Sequence, residues 1–137
     1  MRRILLISSL SALAAVPAVA LASGSSKQVQ VTDCNRALYK PQTIVLACGD
    51  GNMGLVNLKW SRWSQSHASG SGVYAYNTCT PSCASGRLKR IGATVTLSKP
   101  IRCKHASHEV FDKANVRYRG KRGPYSRQTF TLGCPMK

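Results

Sequence analysis

The chain has 137 residues, 43% of them apolar, and carries 20 Lys and Arg against 4 Asp and Glu, a formal net charge of +16. The length excludes a multidomain architecture yet permits a real core, because a domain of this size buries about two-thirds of the surface its unfolded chain exposes. The charge is silent on fold: like charges repel one another in the folded state and attract polyanions, so it speaks to partners.

At the N-terminus Arg2 and Arg3 form a positive start, residues 4–16 an apolar stretch, and Pro17 breaks that stretch ahead of small residues. This is the three-part layout of a secretory signal peptide. Ala20-Leu21-Ala22 supplies a small-x-small cleavage pattern, with Ala18-Val19-Ala20 as the second choice. Residues 1–22 are therefore expected to be removed near Ala22, giving a secreted chain that starts at Ser23. Pro17 and the polar run 23–26 disfavour an uncleaved anchor, and no cysteine stands at the cleavage region to take a lipid. Processing lowers Lys and Arg from 20 to 18, keeps Asp33, Asp50, Glu109 and Asp112, and leaves a mature charge of +14. Residues 23–40 read as a lead-in and residues 41–137 as one β domain.

Past the signal, no stretch holds an apolar 3.6-residue period for three turns. Short alternating runs separated by Gly, Pro, Asn and Ser clusters predict an all-β fold, a small disulfide-stabilised sandwich or barrel. Six short strands are expected, at residues 42–48, 55–63, 72–78, 92–98, 110–119 and 128–133. Alternation assigns their faces. Ile44 and Leu46, then Val56, Leu58 and Trp60, Val95 and Leu97, Val116 and Tyr118, and Phe130 and Leu132 are the expected core. Asn57, Lys59, Thr94, Thr96, Arg117, Arg119, Thr129 and Thr131 fall on the solvent side. Trp63 is expected outward or at its strand's end, where an exposed indole binds sugar or a partner or covers the end of the core. Gly49-Asp50-Gly51-Asn52 reads as the turn of a hairpin, and Ala68-Ser69-Gly70-Ser71-Gly72 as a flexible connection, since it lacks the lysine and the strand-to-helix setting of a phosphate loop.

In an exported chain, six cysteines in a small domain read as a disulfide framework: Cys34, Cys48, Cys79, Cys83, Cys103 and Cys134. Zinc is the rival, but the one close pair, Cys79-Thr80-Pro81-Ser82-Cys83, is not a Cys-x-x-Cys knuckle and has no matching pair. Six cysteines permit 15 pairings. The sequential set, Cys34 with Cys48, Cys79 with Cys83 and Cys103 with Cys134, needs the fewest crossings and is the expectation, with each longer bridge contributing on the order of 3 kcal/mol.

The basic residues are clustered. Arg87, Lys89 and Arg90 precede one strand, and Arg117, Arg119, Lys121, Arg122 and Arg127 crowd a late hairpin, with Tyr125 beside them. Such a patch takes phosphate or sulfate through charge and bidentate guanidinium contacts, or else serves as edge-strand charge that blocks aggregation. Candidate partners are an anionic polymer (cell-wall polymer, nucleic acid or acidic polysaccharide) or an anionic membrane surface. The alternatives are a small secreted nuclease built on His67, His105 and His108, and a protease inhibitor presenting the Cys79–Cys83 loop. Ser64, Ser66 and His67 lack a nucleophile elbow, and the His105-x-x-His108 pair has only Glu109 and Asp112 near it as further ligands. No catalytic residue, metal or cofactor is assigned.

Taken together, Leu46-Ala47-Cys48-Gly49-Asp50-Gly51-Asn52, Leu58-Lys59-Trp60-Ser61-Arg62-Trp63, the Gly-rich stretch 68–72, Asn77-Thr78-Cys79-Thr80-Pro81-Ser82-Cys83-Ala84-Ser85-Gly86 and Val95-Thr96-Leu97-Ser98-Lys99-Pro100 resemble a group of small secreted actinobacterial cysteine-containing proteins of uncharacterised function. The resemblance runs over residues 41–134 and is most specific at Cys-x-Pro-x-Cys-Ala-x-Gly. It implies a secreted, cysteine-rich β protein and supplies no catalytic residue.

Overall fold

The computed structural model describes residues 27–122 and 125–136, and for Lys121, Arg122 and Tyr125 the backbone alone. The predicted signal peptide lies outside the described residues. Among the described residues the fold is all-β: β1 (Gln30–Asp33), β2 (Arg36–Leu38), β3 (Ile44–Val45), β4 (Met53–Trp63), β5 (His67–Asn77), β6 (Leu88–Ile101), β7 (Val110–Arg122) and β8 (Tyr125–Thr131). They form one sheet in the order β2-β1-β7-β6-β5-β4-β3, with β8 also against β7. One edge of β7 is thus shared: β1 runs parallel to it at Val110 and Phe111, and β8 antiparallel along Lys113–Arg122.

The sheet curls into a half-barrel. Its two ends meet where the Val45 amide donates to Asp33 Oδ1 at 2.9 Å and where the Cys34–Cys48 disulfide ties the β1–β2 turn to the end of the β3 segment. The concave face is the core, lined by Val29, Val31, Ile44, Leu55, Leu58, Tyr74, Val95, Leu97, Phe111, Val116 and Tyr118, with Leu46, Trp60, Phe130 and Leu132 packed against it. The C-terminal segment closes over β1. Thr32 Oγ1 donates to the Gly133 carbonyl at 2.8 Å, the Met136 amide donates to the Cys34 carbonyl, and Cys103 bonds Cys134. With Cys79–Cys83, all three disulfides follow the sequential pairing.

Two expectations are corrected. The first concerns the faces of β4, which carries two register shifts, between Val56 and Lys59 and between Trp60 and Arg62. A bulge inserts one residue and inverts the alternation beyond it. At the first, Asn57 adopts φ 54°, a left-handed conformation that asparagine tolerates. Leu55 and Leu58 therefore both point inward although they are three apart, and Val56 sits half-buried on the outer face rather than in the core.

The second shift brings Trp63 back to the same side as Trp60, so of its two expected placements it takes the strand's end, the last residue of β4, half-buried and covering the end of the core rather than facing outward. Its Nε1 donates to the Val29 carbonyl at 2.8 Å. Its ring meets Trp60 at 4.7 Å, Tyr39 at 5.3 Å and Phe111 at 5.7 Å, each edge to face. Trp60 Nε1 in turn donates to the Pro41 carbonyl.

The second correction is that Ala68–Gly72 is no connection; it lies inside β5, paired on both sides. The glycines there answer the bulges opposite. A Cβ at Gly70 would stand 2.8 Å from the Lys59 carbonyl oxygen, and one at Gly72 2.7 Å from that of Val56. Glycine lets the bulged backbone of β4 approach where a side chain would collide. The sheet also takes in β1 and β2, from the stretch read as a lead-in, because Val29 and Val31 fill the concave face.

Candidate anion-binding face

The convex face is set by register. Across β4 to β8, Lys59 stands opposite Ser71, Ser71 opposite Thr94, Thr94 opposite Arg117, and Arg117 opposite Arg127. With strands about 4.8 Å apart, the row spans roughly 19 Å. The next row along the strands is Arg62, Ser69, Thr96, Asn115 and Thr129, in which Asn115 Nδ2 donates to Thr129 Oγ1 at 3.0 Å. On the other side, Arg90 lies opposite Ala75, and the stem of Arg119 crosses Gly92, its Cδ 3.2 Å from where a Cβ would be. Lys59, Arg62, Arg90, Arg117, Arg119 and Arg127 are all exposed.

Of the eight predicted patch residues, the fold brings Arg90, Arg117, Arg119 and Arg127 onto one face. Lys89 has the opposite parity, facing Tyr76 across the β5–β6 pair, and Arg87 precedes the strand. These two flank Leu88 instead. The backbone of Lys121 and Arg122 continues β7, while their side chains and that of Tyr125 lie outside the described residues. Lys59 and Arg62 were missed. Alternation already put Lys59 on the face of Arg117, but Arg62 has the parity of Leu58 and Trp60 and reaches this face only through the second bulge.

The acids lie elsewhere. Asp112 is buried and held by Lys113 at 3.1 Å and Lys99 at 3.8 Å, and Asp33 is held by Arg36. Asp50 lies in the β3–β4 turn, where its carboxylate accepts from the Asn52 amide at 3.0 Å; that bond holds its pKa below the ordinary value. Among the described residues no salt bridge engages the six cations of the convex face, so their charge is directed at solvent.

The histidines form no comparable arrangement. His67 Nδ1 lies 3.0 Å from Ser66 Oγ, and Ser64 Oγ donates to the His67 carbonyl at 2.8 Å, closing the β4–β5 turn on itself. Among the described residues no hydrogen bond joins His67 to His105 or His108, and no three His, Cys, Asp or Glu groups converge on a metal-binding point. The Cys79–Cys83 loop is exposed and clamped from one side: Asn77 Nδ2 donates to the Cys83 carbonyl and Asn77 Oδ1 accepts from the Cys79 amide.

Beside the arginines, the convex face holds a shallow groove of about 260 Å³ whose apolar lining includes Val45, Val56, Ala75 and Leu88. Fold and face together define a disulfide-braced, curled β-sheet protein with a cationic outer surface. Comparison with protein-family models, curated proteins and solved structures finds no match to this chain.

Proposed function

We propose that this is a secreted, non-enzymatic protein that binds an anionic polymer or an anionic surface through the convex face of β4–β8. The observation that carries the reading is the register: Lys59, Arg117 and Arg127 in one row, with Arg62, Arg90 and Arg119 beside them, free of salt bridges among the described residues. Guanidinium groups recognise phosphate and sulfate through paired N–H donors, and the Ser, Thr and Asn side chains between them offer hydrogen bonds to a polymer's hydroxyl and phosphate oxygens. The resemblance to small secreted actinobacterial proteins and the oxidised cysteines suit a role outside the cell.

A salt titration tests this. Binding to duplex DNA and heparin is expected at low salt and to weaken steeply as salt rises, and Arg117→Gln with Arg127→Gln should flatten the DNA slope by about 2. Failure to bind either polymer at low salt, or affinity indifferent to salt, overturns the reading. Intact DNA and RNA after incubation are expected; cleavage abolished by His67→Ala would instead support the nuclease alternative. The clamped Cys79–Cys83 loop favours a second reading as a protease inhibitor, tested by dose-dependent inhibition across a serine-protease panel.

A further inference from the structure

We infer that the anionic partner is a lipid bilayer, engaged by the arginine cluster together with the apolar groove beside it. The inference rests on the proposed anion binding of the convex face and adds an apolar component to it.

Leu88 is the most exposed large hydrophobic side chain among the described residues, at 60%. It stands between Arg87 and Lys89, with Arg90 next along the strand. From Leu88 the surface continues into the groove lined by Val45, Val56 and Ala75. Register places cations along its border: Ala75 lies opposite Arg90, and Val56 opposite Val73, which is opposite the Gly92 that Arg119 crosses. One acid, Asp50, stands in the turn beyond Gly51 and Asn52, across the groove from Leu88.

A protruding leucine with Arg90 and Arg119 on its own face is poorly suited to a second copy of this chain, which brings the same excess of positive charge. A hydrophilic polyanion engages the cations but leaves Leu88 in water. The interface of an anionic bilayer satisfies both, with phosphates for the guanidinium groups and an acyl boundary for the leucine and the groove. The oriented protein would lie with the start of β6 and the groove at the membrane and Arg90 and Arg119 beside them supplying charge.

Flotation with vesicles of phosphatidylglycerol and phosphatidylcholine in equal parts, with phosphatidylcholine alone, and in parallel heparin chromatography, test this on the oxidised mature protein. Binding to the anionic vesicles and to heparin is expected, with none to phosphatidylcholine. Leu88→Ser should lower vesicle partitioning about tenfold while heparin elution is unchanged, and Arg90→Gln with Arg119→Gln should weaken both. An unchanged melting temperature for Leu88→Ser checks that the fold is intact. Heparin binding without vesicle binding, or vesicle binding indifferent to Leu88→Ser, overturns this inference and leaves the proposed function standing. Binding to neither overturns both.

Discussion

The bulged pairing of β4 with β5 makes a sharp prediction at Gly72. A methyl group there would stand 2.7 Å from the Val56 carbonyl oxygen, 3.2 Å from that of Asn57 and 3.1 Å from Leu58 Cδ2. Two of the three are backbone atoms, so relief requires moving the strand and not a rotamer. Overpacking of this kind costs about 1–3 kcal/mol, against which alanine gains about 0.4–1 kcal/mol from its stiffer unfolded chain. Gly72→Ala should therefore destabilise by about 1–2 kcal/mol, lowering the melting temperature by roughly 4–8 °C for a domain of this size. Urea unfolding followed by tryptophan fluorescence reads it, since Trp60 and Trp63 both pack against the core. Gly49→Ala is the control, with no atom within 4 Å of the added Cβ, and should stay within about 0.5 kcal/mol of the parent. Deleting Asn57 makes Leu55, Val56 and Leu58 alternate regularly and should remove most of the Gly72→Ala cost. If Gly72→Ala unfolds no earlier than Gly49→Ala, or costs the same without Asn57, the bulge is not what demands glycine.

Three further outcomes are expected. Replacing Cys103 and Cys134 by alanine, a separation of 31, should cost about 3.7 kcal/mol on the loop-entropy estimate, against about 1.9 kcal/mol for the Cys79–Cys83 pair with its separation of 4; denaturant midpoints of the two double variants give the order. Asp50 has a lowered pKa, so its contribution is present above its ordinary 3.8 and is lost as pH falls through the lowered value. The stability difference between parent and Asp50→Ala should thus be level from pH 7 to about 5 and vanish at lower pH. Because Arg127 faces Arg117 directly, Arg127→Gln should stabilise the fold by up to about 0.5 kcal/mol at low salt, and less at 1 M, while weakening heparin binding; a loss of stability at low salt would contradict the cross-strand repulsion.

The cysteine pairing, one of 15, rested on the fewest crossings alone, whereas class and most of the convex face were legible in the sequence because β6 and β7 are unbroken over their shared register. Thr94, Thr96, Arg117 and Arg119 fall outward there as alternation requires, with Val95, Leu97, Val116 and Tyr118 inward. In β4 the same rule fails. Nothing in Val56-Asn57-Leu58 announces that Asn57 takes a positive φ, and each bulge inverts the face of the residues beyond it, which is why Val56 was misplaced, Trp63 left between two placements and Arg62 overlooked. The glycines opposite were the available clue, since Gly70 and Gly72 two apart mark a close approach as readily as a linker. The role of Gln30–Asp33 was hidden for another reason: its partner in β7 is remote in sequence, and a four-residue strand carries too short a pattern to be read alone.

That parallel pairing of β1 with β7 governs the order in which the chain can be completed. Val31 pairs with Phe111, 80 residues later, so a chain that appears from its N-terminus onward presents the two far apart in time. Until Phe111 emerges, β1 has only the three-residue β2 to pair with, and until Cys134 emerges, Cys103 has no native partner. Cys34 and Cys48, 14 apart, are able to close long before. The first strand of the chain is thus among the last to be seated against the sheet, so no N-terminal half is finished ahead of the rest, and a chain cut short before Phe111 has no β7 on which β1 can close the concave face.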